Sequence, residues 1–175
     1  MFIPFAVLYG FTFPGVMVHE LSHLWMCWLT RTKVISVNLF QLGPNSGYVV
    51  CDRGSNVWSV FAVSVVPFFV NTGTALIIGG FGARFYRSYG PNNFLTWLSI
   101  YLAFSVGFHA FPSLQDIKVV DDRLWEKSTM LFSKIILAPI VLIFGIVALG
   151  GNIAVNLLSG FGFGILIPFM YIGVR

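Results

Sequence analysis

The chain has 175 residues, 57% of them hydrophobic and only 9% charged, with a formal net charge of +4 and a mean hydropathy of +0.87. A soluble domain carries roughly a quarter charged residues, so this composition predicts a membrane protein, and the length allows one compact bundle and little else. The ten basic residues fall almost entirely between apolar runs, with no basic patch carrying interleaved aromatics, which excludes a nucleic-acid surface.

Apolar runs long enough for a crossing of about 20 residues occur near 2–29, 57–82, 94–111, 131–149 and 153–173. The predicted architecture is an all-α polytopic membrane protein of about five transmembrane helices, one domain over 1–175 with its core in 1–120 and extra C-terminal helices over 131–175. No basic region or small-residue cleavage site accompanies the first run, which reads as a retained span. With the N-terminus outside, Arg31, Lys33, Arg53, Lys118, Arg123, Lys127, Lys134 and Arg175 lie on the cytoplasmic side, and only Arg84 and Arg87 lie outside. That positive-inside bias puts the ends of the first and third runs together near the cytoplasmic face.

The first run contains "VMVHELSHLWM", residues 16–26, preceded by Pro14-Gly15, which predicts a kink one turn before it. Cys27 at its end and Cys51 in the next loop match neither a disulfide framework nor a zinc knuckle and read as ordinary thiols. The following loop, "KVISVNLFQL" over 33–42, then "GPNSG" over 43–47 and "YVV", predicts a β-hairpin at the membrane surface. Its unpaired edge offers free N–H and C=O groups to another extended chain. Near the end of the third run stands "FHAFPSLQD", residues 108–116. The glycines of 150–164 lack a preceding strand, so they predict a flexible or closely packed helix junction and not a phosphate loop.

His19 and His23, four residues apart, share one helix face and can reach one metal ion, with Glu20 beside them. Two of the chain's three histidines fall in this pattern, and Glu20 is the one acidic residue deep within an apolar run. A membrane histidine is commonly a helix-packing group, but an ionisable cluster at such depth costs free energy unless it has partners, and so points to function. The ligand set suits one Zn2+ per chain, with two imidazoles, a third protein ligand and an open position, and Glu20 as proton acceptor for the attacking water. The third ligand is Asp116 or His109. On an unbroken helix these lie about 10 Å apart, too far to share an ion, and Pro112 is expected to break the helix between them. The metzincin pattern is excluded because the position six beyond His23 is Leu29.

HExxH in a first core helix, then a surface hairpin, a second helix with Pro67 and Asn71, and a proline-containing motif ending in Asp resembles the site-2 protease family of intramembrane zinc metalloproteases. The likeness covers roughly residues 10–120. It implies His19, His23 and Asp116 as zinc ligands, Glu20 as catalytic base, and a membrane-protein or peptide substrate cut in or beside a transmembrane segment. The chain departs from the family at two motifs. Its "VPFFVN" lacks the family's glycine and spaces Pro67 and Asn71 one residue further apart. His109 stands where the family has an asparagine, which implies a hydrogen-bond donor to the oxyanion. The rival class is a non-proteolytic metal-binding membrane protein, either a degenerate protease that binds helices or a metal-ion carrier. The absence of acidic groups in the second and fourth runs disfavours the carrier, and the presence of Glu20 disfavours the degenerate protease.

Overall fold

The computed structural model describes residues 3–41, 46–52, 56–149 and 153–173. The first apolar run is two helices, α1 (Ile3–Phe11) and α2 (Phe13–Leu29), broken at Thr12. Pro14 sits in the first turn of α2, where a missing N–H costs nothing, so the proline expected to kink a helix instead helps to start one. Gly15 then lets α2 press on the third run, since a Cβ there would stand 2.0 Å from the Ser105 carbonyl oxygen.

Strands β1 (Val34–Asn38) and β2 (Tyr48–Cys51) form the expected antiparallel hairpin, pairing Val37 with Val49 and Asn38 with Tyr48. The tip of the hairpin, including Gly43, Pro44 and Asn45 of the expected turn, lies outside the described residues. Cys27 and Cys51 are joined in a disulfide, which corrects their reading as free thiols. Two cysteines give no spacing pattern. The pairing follows from the hairpin folding back over the end of α2.

Helix α3 (Val57–Tyr89) is capped by the Asn56 side chain, which accepts from the Trp58 N–H, and it ends at Gly90, whose φ of 75° suits glycine. Helix α4 (Phe94–Phe108) packs along α3 and ends at His109. Residues 114–124, which the span pattern leaves unassigned, form the amphipathic α5 (Leu114–Leu124). Its Ile117, Val120 and Leu124 are buried at helical spacing with Leu137 and Val141 of α6 (Leu131–Leu149) and with Val57 and Val60 of α3. The chain closes with α7 (Ile153–Phe161), a π-helical turn over Gly162–Leu166, and α8 (Ile167–Gly173). Gly160 and Gly164 lie against the backbone of α4, where a Cβ at Gly164 would stand 2.6 Å from the Ala103 carbonyl oxygen. Here the glycines serve close packing. Gly150, Gly151 and Asn152 of this segment lie outside the described residues.

Three helices among the described residues are long and apolar enough to cross a membrane: α3, α6 and the continuous run Ile153–Ile172. The other two expected spans are shorter, because Thr12 divides the first and the turn before Pro112 stops α4 after 15 residues. The protein is therefore mostly helical, with three candidate membrane-crossing helices and one small hairpin.

Candidate metal centre

Helix α2 carries His19, Glu20 and His23 on its buried side, with the two imidazoles edge to face at a centroid distance of 4.8 Å. Asp116 reaches them because the chain turns sharply after α4. Pro112 cannot continue the helix, and Ser113 starts α5 with a reciprocal cap. The Asp116 N–H donates to Ser113 Oγ at 3.2 Å, and the Ser113 N–H donates to Asp116 Oδ2 at 2.7 Å. The carboxylate thus stands in the first turn of a helix, where the backbone dipole favours its charge.

His23 Nε2 lies 3.4 Å from Asp116 Oδ1, and His19 Nε2 lies 3.7 Å from Asp116 Oδ2. Both separations exceed a good N–H···O hydrogen bond. They suit ligands around one ion instead, because two atoms each about 2.05 Å from a tetrahedral centre are about 3.3 Å apart. Among the described residues, His19, His23 and Asp116 form the one group of three such side chains that could hold a metal. His109, the other candidate for the third ligand, is not in it.

The far sides of both rings explain why their Nε2 atoms point inward. His19 Nδ1 is 2.8 Å from the His109 carbonyl oxygen, and His23 Nδ1 is 2.7 Å from that of Val63. A carbonyl can only accept, so both Nδ1 atoms carry the proton and both Nε2 atoms keep a free lone pair, as a metal-binding imidazole requires. Each carbonyl is available for a local reason. Pro67 stands four residues after Val63 and has no N–H to donate to it, and His109 lies at a helix end where carbonyls lack intrahelical partners. The fully buried Asn71 adds a second donor to the His109 carbonyl at 2.9 Å, and its amide also lies 3.3 Å from the Val106 oxygen.

Glu20 and His19 line a cavity of about 770 Å³ together with Asp116 and with hairpin residues 46–50. Gly47 stands directly over Glu20, since a Cβ there would approach Glu20 Cγ to 2.7 Å. The His109 ring also borders this cavity, but its Nε2 is engaged 2.8 Å from Thr12 Oγ1. The Thr12 hydroxyl donates its proton to the Leu8 carbonyl, so His109 Nε2–H is the donor to Thr12. The N–H that could serve an oxyanion is therefore committed to the break between α1 and α2. Ser105 ties the same break to α4, its hydroxyl donating to the Thr12 carbonyl at 3.0 Å.

The sequence motifs supply His19, Glu20, His23 and Asp116, and Pro67 and Asn71 of this outer layer, but not its carbonyl acceptors. Val63 has no chemistry of its own, and the usable signal was a proline four residues downstream of it in an otherwise helical run. No family model, curated protein or solved structure matches the chain.

Proposed function

We propose that the protein is an intramembrane zinc endopeptidase that hydrolyses peptide bonds in or beside the membrane-spanning segments of other proteins. The observation that carries this reading is the inward-facing His19, His23 and Asp116 trio beside Glu20 in an open cavity. A zinc ion held by these three residues supplies Lewis acidity toward a carbonyl and lowers the pKa of water. Glu20 accepts the proton of the attacking water and delivers it to the leaving amine. The hairpin borders the cavity with residues 46–50, so an extended substrate added to it would lie across Glu20. A substrate helix must unwind first, because its carbonyls are already bonded. Following the positive-inside bias, the N-terminus lies outside and the centre faces the cytoplasmic side.

The test is metal content of the purified wild type, together with cleavage of an unfolded protein by wild type and Glu20→Gln. The expected result is about one zinc per chain in both proteins, with cleavage reduced by roughly 10²- to 10⁴-fold in the variant. Wild type that holds no metal overturns the reading. Wild type that binds zinc but never cuts supports a helix-binding metalloprotein instead.

A further inference from the structure

Arg84 and Arg87 stand near the end of α3 away from the metal centre, which does not use them, and the Arg87 bond to Ile172 puts the end of α8 on this same face, so the eight-to-two charge count does not carry over to the C-terminal run. Val63 lies at the centre and Arg84 comes 21 residues later on α3, so at 1.5 Å per residue the two are about 32 Å apart along the helix. The arginines are three residues apart on one helix face and stand at the rim of a groove of about 600 Å³ between α3 and α8. Ser88 joins them there, and Ile77, Gly80 and Phe81 continue the groove toward the middle of α3.

The groove exists because adjacent glycines do different work. At Gly79 the helices touch, since a Cβ would stand 2.2 Å from the Gly164 carbonyl oxygen. At Gly80 the nearest atom to such a Cβ is Ile172 Cδ1, at 3.7 Å. The groove is apolar below and cationic above, with Ile77 64% and Phe81 52% exposed beneath the guanidiniums. Arg87 donates to the Ile172 carbonyl at 3.0 Å, which pins its guanidinium at the end of α8 with only one of its five N–H groups engaged in that bond. Asp and Glu are absent from α3 and from the elements packed against it here, α4, the π-helical turn and α8. Two guanidiniums at a membrane boundary with no carboxylate among the described residues of these elements call for an anion from elsewhere.

We propose that this groove binds an anionic phospholipid, with its phosphate held by Arg84 and Arg87 and its acyl chains lying over Ile77 and Phe81. Guanidinium matches phosphate geometry, and basic pockets between membrane helices suit anionic headgroups. The exposed apolar wall selects a lipid over free phosphate, which would leave that wall uncovered. The site requires α3 and α8 to lie in a bilayer and owes nothing to the metal centre.

The experiment is native mass spectrometry of the full chain released from mixed phosphatidylglycerol and phosphatidylcholine vesicles, for wild type, Arg84→Gln/Arg87→Gln and Arg84→Lys/Arg87→Lys. Wild type is expected to retain one phosphatidylglycerol in preference to phosphatidylcholine. The glutamine variant loses that preference by roughly 30-fold, and the lysine variant keeps most of it. Equal retention of both lipids by wild type overturns the proposal without need of any variant, as does undiminished preference in a folded glutamine variant. Displacement of the lipid by inorganic phosphate alone also overturns it, because the acyl groove would then contribute nothing. Zinc content, measured in the same samples, is expected to be unchanged.

Discussion

The Nδ1–H of His19 donates to the backbone carbonyl of His109 across 2.8 Å, joining α2 to a residue ninety positions later through main chain and not through the second imidazole. The His109 ring meanwhile holds Thr12. Replacing the ring should therefore leave the metal in place, whereas replacing Asp116 removes a member of the trio. For His109→Leu the expected zinc content matches wild type with a stability loss of about 1–3 kcal/mol. Asp116→Ala is expected to purify without stoichiometric zinc. Elemental analysis with thermal unfolding of both variants checks this, and loss of zinc in His109→Leu would return His109 to the ligand set.

Pro67 acts on the centre at one remove. Its missing N–H leaves the Val63 carbonyl to His23. Pro67→Ala supplies an N–H that competes for that oxygen, which loosens the hold on the His23 ring even though the helix itself becomes more regular. The expected outcome is zinc affinity weakened by about 10- to 100-fold with thermal stability equal to or above that of wild type. Competition titration with a chelating dye reads the first quantity and unfolding the second. Unchanged affinity would show that the Val63 bond does not orient His23.

Gly47 lies over Glu20 and away from the trio, so a substitution there tests the proposed chemistry of Glu20 apart from metal binding. A methyl group at Gly47 would meet Glu20 Cγ at 2.7 Å and the Leu39 carbonyl at 3.0 Å. Either the glutamate or the hairpin must then shift. Gly47→Ala is expected to keep zinc and lower the cleavage rate by at least roughly 100-fold, because about 1 Å of misplacement at a reacting group costs that much. Cleavage at the wild-type rate would place the working position of Glu20 away from the hairpin.

The Cys27–Cys51 bond ties β2 to the end of α2 across a sequence separation of 24. A crosslink closing such a loop stabilises by about 2–4 kcal/mol, so reductant or Cys27→Ser should lower the unfolding midpoint by several degrees. In the proposed orientation this bond lies on the cytoplasmic side, where thiols are kept reduced. The expected state in intact cells is therefore two free thiols that oxidise on isolation, read as a shift in gel mobility after maleimide labelling. A bond already complete in intact cells would invert the proposed orientation.

The sequence by itself determined what is local. The length of the apolar runs marked the helices, alternation marked the hairpin, and a spacing of four brought His19 and His23 onto one face, since helical geometry fixes such neighbours without reference to the rest of the chain. Composition likewise placed the chain in a membrane class. Only the tertiary structure decided the rest. Asp116 joined the histidines because Pro112 and the Ser113 cap turn the chain back on itself, and helical rise alone would have kept it distant. The amphipathic face of α5 was hidden by its own charges, Lys118, Asp121 and Asp122, until Ile117, Val120 and Leu124 found α3 and α6. The acceptors for His19 and His23 are backbone carbonyls, which every residue carries. No side-chain pattern can announce them, and they become specific only where a proline or a helix end leaves one without its usual donor.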